Sequence, residues 1–196
     1  MVNTAVQKAA ENAADPALAQ TLVRMLGRRS VVLVGMMGAG KSSVGRRLAA
    51  RLGIPFVDAD TEIESAAGMT IPDIFARHGE PYFRAGEARV IARLLESGPQ
   101  VLATGGGAVM NQQTRDLIHI KGISVWLKAD IEVLMKRTKR RGDRPLADQM
   151  KDLLPQREPV YGQSDIVIQS RDEPHDTIVD EIIAAATRHL GAETAK

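Results

Sequence analysis

The chain has 196 residues, of which 44% are hydrophobic, 26% charged and 3% aromatic, with a formal net charge of +2. That length and balance suit one globular unit with a core of aliphatic, Met and Ala side chains. The absence of cysteine excludes a disulfide framework and a thiol nucleophile, and no run of 18 apolar residues offers a membrane span. Arginine outnumbers lysine 18 to 8, and arginine is the residue for bidentate capture of carboxylate and phosphate. Most of these arginines are read as ordinary surface residues.

In chain order, residues 1–29 are Ala-rich and weakly patterned, with Leu18, Leu22, Met25 and Leu26 spaced for one short amphipathic helix. The expectation is a flexible N-terminal extension, docking through residues 17–28. It has neither the apolar core nor the cleavage site of a signal peptide, and Glu11 and Asp15 count against a transit peptide. Val31 to Val34 reads as a buried strand. Gly35, four intervening residues and Gly40-Lys41-Ser42 follow, which is the phosphate-binding loop pattern. Its glycines let backbone N–H groups curl round an anion, and the helix from Lys41 to Arg51 turns its positive end to the same anion. Gly38, Ala39, Gly40, Lys41, Ser42 and Ser43 are therefore expected around the phosphates. Lys41 would reach the outer ones, and the Ser42 hydroxyl would ligate Mg²⁺.

Ile54 to Asp60 reads as the second strand, closing on Asp58 and Asp60. Alternation would point both carboxylates the same way, to hold a metal's waters or accept a hydroxyl proton. The simpler alternative is that one of them caps the next helix. Two further helices begin near Thr61 and Thr70, His78-Gly79-Glu80 makes a turn, and a helix follows to about Ser97. On it, Arg84 and Glu87 are spaced to pair. Val101 to Thr104 forms strand three and runs into Gly105-Gly106-Gly107, where one glycine would make a turn and three suggest backbone lying close to a ligand. A helix over Asn111–Ile118, a fourth strand over Ile123–Leu127 and a helix from Asp130 to Arg137 come next. Residues 139–147 carry Arg140, Arg141 and Arg144 in a Gly/Pro-punctuated stretch, read as a mobile basic loop that can close over a nucleotide. A helix over Ala147–Val160 interrupted near Pro155, a fifth strand over Asp165–Gln169 and a last helix over Thr177–Leu190 complete an α/β chain with a parallel sheet. His78, His119, His175 and His189 show no metal-ligand spacing and are read as structural or surface residues.

Six segments together resemble the shikimate kinases: Gly35–Ser43, Phe56-Val57-Asp58-Ala59-Asp60, Phe83-Arg84 with Glu87, Gly105-Gly106-Gly107-Ala108, Arg144-Pro145-Leu146, and Arg157 with Pro159 and Tyr161. They stand in that family's order over about residues 30–185. The resemblance implies a nucleoside-monophosphate-kinase-like three-layer fold with a phosphate-binding loop, a five-stranded parallel sheet, a mobile lid and an acceptor-binding helical region. It implies a single kinase domain over 30–190, with 61–94 as the acceptor-binding region, 139–147 as the lid and 191–196 as a tail. The activity implied is transfer of the γ-phosphoryl group of ATP to the 3-hydroxyl of shikimate, with Mg²⁺ as cofactor.

Residue by residue, the resemblance makes Asp60 the base that also binds the shikimate hydroxyls. Arg84 and Arg157 become the clamp on its carboxylate, and Gly106 a backbone donor. Ser42 and Asp58 hold the metal, Lys41 and Arg144 stabilise the moving phosphoryl group, and Arg137 packs on adenine. Gln169 and Arg171 are candidates for further adenine contacts. The implied partners are ATP and shikimate, with no nucleic acid and no membrane, in a cytoplasmic monomer. Two other readings compete. A gluconate kinase would share the loop but needs no pair of carboxylate-clamping arginines. A nucleotide-dependent nucleic-acid-binding protein would use the basic residues, but the net charge is low and aromatic interleaving is absent.

Overall fold

The computed structural model describes residues 16–139, 149–171 and 173–194. Its centre is β1 (Ser30–Val34), a strand buried along its whole length. The aliphatic run Val31–Val34 is what a strand covered on both faces requires. Around it lies a five-stranded parallel sheet in the order β2-β3-β1-β4-β5, with β2 Phe56–Asp58, β3 Val101–Ala103, β4 Gly122–Lys128 and β5 Ile166–Gln169. The chain leaves β1 toward β2 on one side and returns past it to β4 on the other. Strand order reverses at the carboxyl end of β1, and open α/β sheets form their ligand crevice at such a point.

The helices are α1 Pro16–Leu26, α2 Lys41–Leu52, α3 Ala59–Ala67, α4 Ile71–Glu96, α5 Gln112–Lys121, α6 Ile131–Lys139, α7 Met150–Tyr161 and α8 His175–Thr194. A 3-10 turn at Ala108–Met110 links β3 to α5. Gly53 stops α2 in the left-handed region at φ 66°, the role its sequence position predicts. Thr70 caps α4 by accepting from the Asp73 N–H. The predicted turn at His78-Gly79-Glu80 is a break inside α4, with Gly79 at φ 80° and ψ 171° and Pro81 opening the second half.

Two expected elements differ. The second strand ends at Asp58, and Asp60 already lies in the first turn of α3. The reason is local: the Asp58 carboxylate accepts the Asp60 N–H at 3.2 Å, which starts the helix there. The helix around Pro155 is not interrupted, since α7 runs from Met150 to Tyr161 through both Pro155 and Pro159. Of the basic loop expected over 139–147, residues 140–147, Arg144 among them, lie outside the described residues.

α1 packs on α8 and α2 through Ala19, Leu22 and Leu26, all within the main core, and Arg29 pairs with Glu193 at 2.8 Å. A second, smaller cluster of Ile63, Ile74 and Phe83 holds α3 and α4 together. No described helix is long and apolar enough to cross a membrane.

Leu22 is fully buried where α1 meets the core. Leu22→Ala should lower unfolding stability by about 2–4 kcal/mol, read as a fall in Tm. An Arg24→Ala control on the exposed side should melt close to wild type. Equal melting of the two variants would contradict the packing of α1.

Candidate active site

The phosphate loop leaves β1 with Gly35, Gly38 and Gly40 all at positive φ, 129°, 81° and 94°. At Gly38 a Cβ would stand 2.7 Å from Thr138 Oγ1 and 2.8 Å from the Leu134 carbonyl. Both conformation and packing therefore demand glycine there. Lys41 opens α2 and donates from Nζ to the carbonyls of Gly35 at 2.7 Å and Met36 at 3.0 Å. Its ammonium is thus held over the loop's own backbone.

Asp58 joins the loop to the neighbouring strand. Its Oδ2 accepts from the Ser42 hydroxyl at 2.7 Å, while Oδ1 caps α3. The metal-binding and capping readings of Asp58 concern different oxygens of one carboxylate. Ser42 and Asp58 offer two adjacent hard oxygen donors. That set fits Mg²⁺, which takes one or two protein oxygens together with phosphate and water. Among the described residues no cluster of three or more His, Cys, Asp or Glu competes as a metal site.

A cavity of about 610 Å³ runs across this crevice. Gly38, Gly40, Lys41, Ser42 and Ser43 line its middle. Asp58, Asp60 and Gly106 line one end, and Arg137, Glu173 and His175 the other. Ala39 is buried and does not line it. Arg84 and Arg157 are not on its wall either; both lie against the triple glycine.

That glycine run is explained by side chains distant in sequence. A Cβ on Gly105 would stand 2.7 Å from Glu87 Oε1 and 3.0 Å from Asp60 Oδ1. One on Gly106 would be 3.5 Å from Arg157 Nη1, and one on Gly107 would be 2.5 Å from Arg84 Nη2. Two carboxylates and two guanidinium groups therefore close on three consecutive backbone units. Arg84 is held by Glu87 at 2.6 Å and by Glu80 at 3.1 Å. Arg157 is buried, with Nη1 3.8 Å from the sulfur of Met36 in the phosphate loop. Tyr161, one turn further along α7, donates to the Gly106 carbonyl at 2.5 Å.

The shikimate kinase family model matches residues 37–187. The chain belongs to that family. Relatives include a shikimate kinase of Bradyrhizobium diazoefficiens, 62% identical over 180 residues that make up 89% of this chain and 87% of that protein. One of Caulobacter vibrioides is 53% identical over 163 residues, 80% of this chain and 82% of that protein. Among solved structures, a shikimate kinase of Acinetobacter baumannii in complex with shikimate matches with a TM-score of 0.74. It is 37% identical, over 80% of this chain and 91% of that one. A gluconokinase of Sinorhizobium meliloti shares the fold at a TM-score of 0.58 and 21% identity, over 85% of this chain and 96% of that one.

For a shikimate kinase, four features of this site go beyond the sequence reading. Glu87 was expected only to pair with Arg84, yet it is buried and its Oε1 has no hydrogen-bond partner among the described residues. Burial pushes its carboxyl above the usual range, Arg84 opposes this, and the charge of Asp60 adds to it. His175, read as structural or surface, lines the cavity together with Arg137. Burial, then Arg47 and Arg137, hold its imidazole below the ordinary value, with Asp176 acting the other way. Met36 supports Arg157 from within the loop. Tyr161 had a signal, its spacing of four from Arg157, but no assigned task.

Burial pushes the Tyr161 phenol from 10.0 up to about 12, against Arg157 and Arg84, which lower it. Folding therefore favours the protonated phenol. Its contribution to stability is intact below pH 10 and is lost as the pH rises through about 12. Tyr161→Phe keeps the ring and removes the titration. In urea unfolding followed against pH, the wild type's advantage over this variant should narrow across that window. A constant gap would assign the alkaline loss to other groups.

Proposed function

We propose that this chain transfers the γ-phosphoryl group of ATP to the 3-hydroxyl of shikimate, giving shikimate 3-phosphate on the route to chorismate and the aromatic amino acids. The observation that carries this is the pair of guanidinium groups lying against Gly106 and Gly107, where Gly106 and Asp60 line the cavity that also holds the phosphate loop. A small polyhydroxy acid needs that combination: a carboxylate to take a proton and two arginines to fix an acid group. The related Acinetobacter baumannii shikimate kinase is in complex with shikimate. Likeness to the gluconokinase, at 21% identity, extends to the fold alone.

The backbone N–H groups from Gly38 to Ser43 enclose the phosphates. Lys41 turns from the carbonyls of Gly35 and Met36 to the β- and γ-phosphates, and Arg137 packs on adenine. Ser42 and Asp58 would hold Mg²⁺, which would neutralise phosphate charge. Arg84 and Arg157 clamp the shikimate carboxylate, and the Gly106 N–H supports it. Glu87 positions Arg84, so little side-chain freedom is lost when the acid arrives. The 3-hydroxyl oxygen then forms its bond to the γ-phosphorus as the bond to the β-bridging oxygen breaks. Its proton passes to Asp60, and ADP leaves with the electron pair of the broken bond. Arg144, in the basic loop, stabilises the moving group. Positioning and electrostatics supply most of the acceleration in such reactions.

A substrate panel with coupled ADP detection tests the assignment. Turnover should appear with shikimate; turnover with gluconate and none with shikimate would sink it. Asp60→Asn should keep ADP binding and reduce kcat by about 10²-fold or more, and near-normal kcat would remove Asp60 as the base. Arg84→Ala should weaken shikimate binding by about tenfold or more while leaving ADP affinity near wild type. An unchanged shikimate Kd would take Arg84 out of the clamp.

A further inference from the structure

Immediately after β5 the chain places Ser170, buried to 2% exposure, between the two residues expected to reach the nucleoside, Gln169 and Arg171. Its position is fixed from three directions. Its N–H donates to the Lys128 carbonyl at the end of β4 at 2.6 Å. Its hydroxyl donates to the Ala39 carbonyl in the phosphate loop at 2.9 Å. The same hydroxyl oxygen accepts from Arg137 Nη1 at 3.0 Å, while Arg137 Nη2 donates to the Arg171 carbonyl at 2.7 Å.

The bond to Ala39 has a directional consequence. A trans peptide points its C=O and N–H in opposite directions. With the Ala39 carbonyl turned to Ser170, the Gly40 N–H of the same peptide plane is aimed the other way. Gly40 lines the cavity and has φ 94°. One buried hydroxyl thus orients both a phosphate-loop donor and the guanidinium at the nucleoside end.

We propose that Ser170 is a positioning residue for the nucleotide, aligning the Gly40 N–H on the phosphates and Arg137 on the nucleoside through one hydroxyl. The Arg137 half rests on the reading above that the base lies on that guanidinium; the loop half does not. Ser170 touches no reacting atom, so its effect falls on nucleotide binding and spares the acceptor site.

The test measures dissociation constants of the full-length chain for ADP, inorganic tripolyphosphate and shikimate by calorimetry, with Tm for each variant. Ser170→Ala, a small volume change, should weaken ADP by about tenfold and tripolyphosphate several-fold, with shikimate Kd unchanged. Arg137→Ala should weaken ADP and leave tripolyphosphate alone. Ser170→Thr, which retains the hydroxyl, should bring ADP affinity back toward wild type. Unchanged ADP and tripolyphosphate binding in Ser170→Ala would overturn the proposal. So would a loss of shikimate affinity in step with that of ADP, since this would mark general loosening. If Arg137→Ala leaves ADP binding intact, the base does not lie on Arg137 and that half of the proposal falls. The tripolyphosphate result with Ser170→Ala separately decides the loop half.

Discussion

Asp58 accepts two hydrogen bonds, one from each side of the crevice. The Ser42 hydroxyl reaches it from the phosphate loop, and the Asp60 N–H reaches it from the start of α3. Remove this carboxylate and two otherwise separate pieces lose their shared reference: the loop and the helix that carries Asp60. A buried or half-buried carboxylate with both oxygens engaged is a stiff joint, because each bond is charge-assisted and set at a fixed angle to the other. The geometry of Asp60 relative to the loop follows from it.

The other half of the site is built by subtraction. Three consecutive residues without side chains make room for Asp60, Glu87, Arg157 and Arg84, which arrive from α3, α4 and α7. Four like and unlike charges crowd a short run of backbone, and their balance differs from pair to pair. Arg84 is tied to two glutamates. Arg157 instead lies near sulfur and phenol, so more of its donor capacity is left for an incoming anion.

The loop was legible in the sequence because its physics is local. Spacing, glycine and one lysine describe a backbone that curls around an anion wherever it occurs, and the preceding aliphatic run marks the central strand. The alternation of strands and helices was legible for the same reason. The end of β2 was not, because an aspartate that closes a strand and one that caps a helix look alike until the following N–H is located. Gly105 to Gly107 announced a close approach, but what approaches comes from residues 18 and more positions away. Ser170 carried no signal at all: a lone serine after a strand has no pattern, and its weight comes from contacts with Ala39 and Arg137, 131 and 33 positions distant. The unpartnered Glu87 oxygen is likewise a property of burial and not of spacing.

The chain has a single tryptophan, and it sits beneath the active site. Trp126 pairs with Val34 across β1 and β4 and is buried. Its ring centroid lies 5.8 Å from that of Tyr161. Its Cδ1 would be 3.1 Å from a Cβ placed on Gly35. The one strong ultraviolet emitter of the molecule therefore lies beside both the first glycine of the loop and the tyrosine that holds Gly106. A shift of either neighbour would change the surroundings of this indole, and its emission would register that shift without a label.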